Sequence, residues 1–540
     1  MSFAEIRNYP DNIIVQTERG CAVFDESGRE QEGISKSGRW RCQDILLEIK
    51  KQNDKCMVYV TAQVTKINRI WFEWNYELQG EYRILGDAWE RAYGDLEWRG
   101  IVPERVMPWY VMVHDVEEKR THGYGVETGA NAMCFWKLDG HRIVLCMDVR
   151  NGAMGVDLQG RSLHAATIVS REGRSGETAF EAAKEFCRSM CAAPRLPKTA
   201  IYGSNNWYYA YGNSSADDIR KDAELLCELA PDSDNRPFLV IDDGWQMTHG
   251  CCCTGGPWNR GNYKFPDMQK LAEDLKEKKL RPGLWVRPLR TYECFPEECI
   301  LHGKMTAEGR CLDPSHPEVL TYTENMFRGI KEWGYELIKH DFSTFDIFGR
   351  WGFEMGEEMT GPDWHFYDTS KTTAEIILQF YRAIRRGAGE ETLILGCNTI
   401  SHLAAGIFEI QRTGDDTSGR EWERTRKMGV NTLAFRMPQN GAFYAADADC
   451  AGIMGRIDWS LNRQWIDLLS VSGTPMFLSI DPGCVTAEQC EYIKNAFQTY
   501  IKVNREAVPE NWMNTTCPDK WNTCYGTKNY RFSSLPGAGE

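Results

Sequence analysis

From Ile201 to Ile480 the chain alternates short apolar runs with amphipathic stretches, and three of the runs lead straight into aspartate. Phe238-Leu239-Val240-Ile241 is followed by Asp242-Asp243-Gly244-Trp245, Tyr335-Glu336-Leu337-Ile338-Lys339-His340 by Asp341, and Ile407-Phe408-Glu409-Ile410-Gln411-Arg412-Thr413-Gly414 by Asp415-Asp416. Apolar runs of strand length that alternate with helical patterns belong to parallel strands joined by crossovers. Eight runs are readable, at 201–207, 238–241, 282–288, 335–339, 393–397, 407–411, 443–446 and 475–480. Between the first two, Ile219, Ala223, Leu226 and Ala230 share one helical stripe. Eight such units predict a closed (β/α)8 barrel, in which side chains just past the strands face one mouth. The three aspartate-tipped ends therefore converge on a single acidic pocket.

Upstream the pattern differs. Runs at 12–17, 44–49, 57–62 and 142–149, separated by turn residues, predict an antiparallel β-sandwich. A helix over 177–190 then meets Pro194-Arg195-Leu196-Pro197, the clearest joint in the chain. The expected organisation is an N-terminal β-sandwich domain at 1–195, a catalytic barrel at 196–500 and a short C-terminal β appendage at 501–540.

A net charge of -14 argues against nucleic acid as a partner. No apolar stretch suits a bilayer, and no basic amphipathic helix suits a membrane surface. Met1 to Pro10 carries Glu5 and Arg7 without an apolar signal core, so a cytoplasmic location is expected. The 20 cysteines then read as reduced thiols. Cys251-Cys252-Cys253, followed by Cys294, Cys299 and Cys311, matches no standard zinc spacing and reads as free thiols in a loop near the pocket rim. No metal or other cofactor is expected. The 19 tryptophans serve cores first, and they also suit stacking on sugar rings.

Asp341 ends the fourth strand and Asp415-Asp416 the sixth, so these carboxylates can approach each other across the mouth. Two carboxylates in that relation suit glycoside hydrolysis, in which a retaining enzyme holds them about 5–5.5 Å apart. Lys339, two residues before Asp341, shares its face of the strand, and its charge would keep Asp341 ionised. Adjacent Asp415 and Asp416 allow one to raise the other, as an acid requires. Taken singly, Lys-x-Asp is an ordinary surface pair, Gly-Asp-Asp an ordinary helix cap and Asp-Asp-Gly an ordinary turn. Their shared register on successive strands supports the functional reading.

Several motifs carry a resemblance. Asn205-Asn206-Trp207, Ile241-Asp242-Asp243-Gly244-Trp245, Phe265-Pro266-Asp267-Met268, Leu284-Trp285, Lys339-His340-Asp341 and Arg412-Thr413-Gly414-Asp415-Asp416-Thr417 occur in that order. As an ordered set they resemble the α-galactosidases of glycoside hydrolase families 27 and 36 (clan D). The resemblance implies Asp341 as nucleophile. It implies Asp415 as acid/base when Gly-Asp is aligned with Ser-Asp-Asp, and Asp416 when the spacing from Arg412 is kept; the first alignment is favoured. Asp242, Asp243 and Lys339 would hold sugar hydroxyls, with Trp207 and Trp245 as pocket walls. Arg412 would meet the 2-substituent or hold the acid, and Cys397 would be a pocket cysteine. His402 is either a sugar contact or a structural histidine. Phe342-Ser343 after the nucleophile and Asn398-Thr399-Ile400-Ser401 after Cys397 depart from the family pattern, which leaves the sugar's identity open. The N-terminal region is also shorter than the large sandwich typical of family 36.

The expected activity is a retaining, exo-acting α-glycosidase, with an α-galactosidase first, acting on an oligosaccharide or glycoconjugate. An α-N-acetylgalactosaminidase or other clan D enzyme, a raffinose-synthase-like transglycosylase, and a non-catalytic carbohydrate-binding barrel are the alternatives. A homo-oligomer is left open.

Overall fold

The computed structural model describes residues 6, 9–24, 29–32, 35–78, 80–249, 254–301 and 310–533. The Cys251–Cys253 cluster lies outside them.

The N-terminal region is built from two antiparallel sheets. One has six strands, in the spatial order 20–24, 12–17, 67–75, 142–148, 133–138 and 107–108. The other has eight, in the order 29–32, 35–42, 45–52, 55–61, 163–171, 120–126, 110–115 and 82–86. Strand alternation places Leu47, Ile49, Val58 and Val60 in the core while their neighbours face outward. The helix Ala179–Met190 starts at a reciprocal cap between Thr178 and Glu181 and packs across the strand Arg120–Val126. A Cβ at Gly123 would come within 2.5 Å of the Phe186 ring, so that close approach needs glycine.

The second half is a parallel barrel. Its strands are Tyr202–Asn205, Phe238–Ile241, Arg281–Val286, Leu337–His340, Leu393–Gly396, Ile410–Arg412, a divided seventh, and Met476–Ile480. The seventh is split because Ala445–Asp447 pairs with the sixth and Cys450–Ile453 with the eighth. Ala448 and Asp449 join the two pieces, with Asp449 in the left-handed region at φ 70°. Sequence reading places this strand slightly early, at 443–446, because the split hides its length.

The helices Ala216–Leu229 and Thr373–Ala388 begin at capping boxes from Ser215 and Thr372, and Met268–Glu277 begins at an Asp267 cap. The helix that follows strand six is broken. Trp422–Thr425 runs into a wider π turn at Arg426–Asn431 and resumes at Thr432–Arg436. A three-stranded sheet, 508–509, 520–523 and 526–529, forms the C-terminal appendage and buries Trp521.

Candidate active site

A cavity of about 670 Å³ opens at the C-terminal ends of the barrel strands. Its lining includes Trp207, Asp242, Asp243, Lys339, Asp341, Asp415 and Asp416, so the three aspartate-tipped ends do share one pocket.

At the strand-two corner, Asp242 is buried and its Oδ2 accepts from Asn205 Nδ2 and Lys339 Nζ, both at 2.7 Å. Asn206 accepts the Asp242 backbone N–H at 2.8 Å. The adjoining Asn205-Asn206 pair thus fixes strand two from strand one. Burial alone would weaken the Lys339 ammonium, but the Asp242 carboxylate overrides it and raises the lysine. Lys339 therefore pairs directly with Asp242, while Asp341 still acts on it through space. Asp243 turns to the following loop, accepting from Gln246 at 2.6 Å and Thr254 at 3.1 Å and meeting His249 Nδ1 at 3.0 Å. The Asp243 hydrogen bond raises His249.

Asp341 sits differently. Its carboxylate accepts the Trp285 indole N–H at 3.1 Å and the Phe342 backbone N–H at 2.8 Å. Both donors are neutral. Phe342 adopts φ 64°, an unusual conformation for an aromatic residue, and starts the short helix Ser343–Phe348 directly beneath the carboxylate. Arg287 stacks over the Phe342 ring at 4.2 Å but spends its fork on Asp346, at 2.6 and 3.0 Å.

The strand-six corner is crowded with cations. Asp415 meets Arg91 at 2.8 Å through Oδ1 and Arg424 at 2.7 Å through Oδ2. Asp416 uses Oδ1 to meet Arg412 at 2.9 Å, and its side chain is 34% exposed against 18% for Asp415. Arg412 is buried and also pairs with Asp449 at 2.7 Å, while Asp449 accepts from Thr417 N–H at 2.8 Å and from the Tyr208 hydroxyl. Burial would raise the Asp416 carboxyl, but Arg412, with Arg91, Lys339 and Arg424 around it, holds it down at about 2.

Arg91 comes from the N-terminal region. The segment 87–93 lies along the end of strand six, with Ala92 N–H donating to Thr413 O at 2.8 Å and Asp415 N–H to Ala92 O at 3.0 Å. Asp87 anchors one end by pairing with buried Arg436 at 2.9 Å. Glu90, fully buried, accepts from Gly352 N–H at 2.8 Å and from Asn398. The Arg91 guanidinium then lies 5.2 Å over the Trp351 ring.

Two candidate site residues, the expected wall Trp245 and the undecided His402, lie outside the lining. Trp245 is fully buried, donates to Trp285 O at 2.9 Å and packs on Trp258 and Trp333; Trp285 takes its place at the pocket. In a strand-to-turn sequence the second Trp of a pair can point either way, and here the indole turns outward into the helix layer. His402 is buried against the N-terminal sheet, stacked on Trp109 at 4.9 Å with Nε2 3.0 Å from Val126 O. Burial lowers it to about 4, so it is a neutral structural histidine and touches no pocket wall. Arg412 and Cys397 lie just beneath the floor, with Arg412 Nη1 3.4 Å from Cys397 Sγ.

Arg91, Tyr93, Tyr211, Trp351, Phe353 and Arg424 escape sequence reading. None of the six sits at a strand end. Asp449 could have been found, since Asp447-Ala448-Asp449 ends the first piece of the seventh strand in aspartates.

No protein-family model matches the chain. Among solved structures it is similar to an α-galactosidase from Thermus thermophilus in complex with p-nitrophenyl α-D-galactopyranoside, with TM-score 0.60 and 15% identity over 93% of this chain and 98% of that one. It is also similar to a glycoside hydrolase family 36 α-galactosidase from Geobacillus stearothermophilus in complex with 1-deoxygalactonojirimycin, with TM-score 0.55 and 13% identity over 91% and 75%. The galactosidase domain of an α-galactosidase–sucrose kinase gives TM-score 0.56 and 14% identity over 92% and 74%. At these identities the likeness establishes a shared fold.

Proposed function

We propose that the protein is a retaining, exo-acting α-glycosidase that removes terminal α-galactosyl groups from oligosaccharides, with Asp341 as nucleophile. The observation that carries this reading is the convergence of Asp341 and the Asp415–Asp416 pair on one pocket, in a barrel that shares its fold with α-galactosidases. The neutral donors on Asp341 hold its carboxylate in place without neutralising its charge, which suits attack on an anomeric carbon. The sugar ring would lie between Trp285 and Trp207, with Asp242, Asp243 and Lys339 offering hydroxyl partners.

Asp416 is the better acid/base. Both Asp415 oxygens are taken by arginines, whereas Asp416 uses one oxygen on Arg412 and is the more exposed of the two. A bound sugar strips water from Asp416 while ionised Asp341 adds negative potential, and both effects raise its pKa toward that of an acid. Asp416 then protonates the leaving oxygen as Asp341 forms the glycosyl ester. Esterification removes the Asp341 charge, the Asp416 pKa falls again, and its carboxylate activates the water that releases the sugar.

Hydrolysis of p-nitrophenyl α-D-galactopyranoside with proton NMR detection of the first anomer formed tests the reaction class. The α anomer supports the proposal; the β anomer excludes the double displacement. Absence of turnover across an α-glycoside panel, with galactose still bound, would favour a binding barrel.

A further inference from the structure

Away from the pocket, three side chains of different ligand chemistry meet behind the loop that follows barrel strand three. Cys299 closes the short turn Glu297–Cys299, His316 caps the helix Pro317–Glu332, and Glu318 lies in its first turn. Cys299 Sγ lies 3.4 Å from His316 Nδ1 and 3.6 Å from Glu318 Oε2, and the three donor atoms fall within 4.8 Å of one another. Cys299 and His316 are buried, while Glu318 opens to solvent.

The two sulfur separations match a coordination sphere. Metal–sulfur bonds of about 2.3 Å and metal–nitrogen or –oxygen bonds of about 2.0–2.1 Å, at a tetrahedral angle, put sulfur about 3.6 Å from either partner. His316 Nδ1 also accepts the Glu318 backbone N–H at 3.3 Å. That nitrogen has one in-plane lone pair, so an ion here would take it over from the long hydrogen bond to the helix start. The backbone at and just after Cys299 is held against the returning chain. Asp313 N–H donates to Cys299 O at 2.8 Å, and Leu301 N–H to Cys311 O at 2.9 Å. Spacing along the chain hides this set, because its members come from the two ends of a long loop.

We propose that Cys299, His316 and Glu318 bind one divalent ion of the zinc class, with water in the fourth position. Sulfur, imidazole and carboxylate together suit a borderline-soft, tetrahedral ion better than a hard one. On binding, the Cys299 thiol releases its proton to solvent and the thiolate takes its place on the ion; nothing is oxidised or reduced. The ion would tie the loop that carries Arg287 at the pocket to the start of the next helix.

The test uses the full chain, stripped with a chelator and titrated with Co²⁺, beside Cys299→Ser and Glu318→Gln. The wild type should take up one equivalent more than Cys299→Ser and show a thiolate-to-cobalt charge-transfer band that this variant lacks. Glu318→Gln, at an exposed position that leaves packing intact, should weaken binding by tenfold or more. Equal uptake by wild type and Cys299→Ser, or no uptake by the wild type, overturns the proposal. The comparison by difference is required because other thiols bind cobalt weakly.

Discussion

The two carboxylate corners of the pocket are built on opposite principles. Asp341 is held by an indole and a backbone N–H, so its carboxylate is oriented by neutral donors and meets Lys339 only through space. Asp415 and Asp416 stand among Arg91, Arg412 and Arg424. A carboxylate with no cation in direct contact is available to form a bond, whereas one surrounded by cations changes protonation only when its surroundings change. Under the proposed double displacement each corner would carry one half of the reaction, and the contrast can be broken at each.

The largest effect is expected at Asp341. Asp341→Asn should lower kcat for an α-galactoside by about 10⁴-fold or more, since a residue that forms the covalent intermediate has no substitute. Retention of wild-type turnover would remove Asp341 from the chemistry.

Next come the paired aspartates. Asp416→Asn should cost about 10²–10⁴-fold on a natural oligosaccharide, less on a p-nitrophenyl leaving group, and azide should restore rate. Asp415→Asn should cost less and should not respond to azide. If azide rescues Asp415→Asn instead, the two roles exchange.

A smaller change sharpens the contrast. Arg91→Met removes one cation that holds Asp416 down. Protonation of Asp416 then becomes easier, its pKa rises, and the basic limb of the kcat profile, which reports the substrate-bound enzyme, should move to higher pH. A limb that stays put would mean that Arg91 acts only as a strut.

The smallest effect on activity is expected at His402. The folded protein holds it neutral to about 4 against an ordinary 6.5, so the unfolded chain binds the extra proton and stability falls as pH drops between those values. His402→Gln should lessen that acid-side loss in a denaturant titration while leaving kcat within about twofold, because the ring meets no substrate.

Period and strand ends made the barrel readable. Each strand needs only a short apolar run, and the residue after it must face the mouth. Asp242, Asp243, Lys339, Asp341, Asp415 and Asp416 were therefore within reach of pattern alone. Direction at a turn was not. Trp207 and Trp245 follow strands in similar ways, yet one lines the pocket and the other is buried under the helix layer. The arginines were less legible still. Arg91 lies in an irregular segment of the N-terminal region, and its pairing with Asp415 spans most of the chain. No local spacing encodes a contact of that kind. His402 shows another limit: its position after strand five left a sugar contact and a structural role equally open, and only the packing on Trp109 and Val126 O favours the second.

The segment 87–93 changes what counts as the working unit of this molecule. A cut at the proline joint between Pro194 and Pro197 would release a barrel with every aspartate in place. It would also strip Arg436 of its buried counter-charge at Asp87 and leave Asp415 with one arginine in place of two. Orphaning a buried charge costs about 3–5 kcal/mol. Excision would therefore yield an unstable fragment rather than a smaller enzyme, and the minimal engineering scaffold has to keep the sandwich.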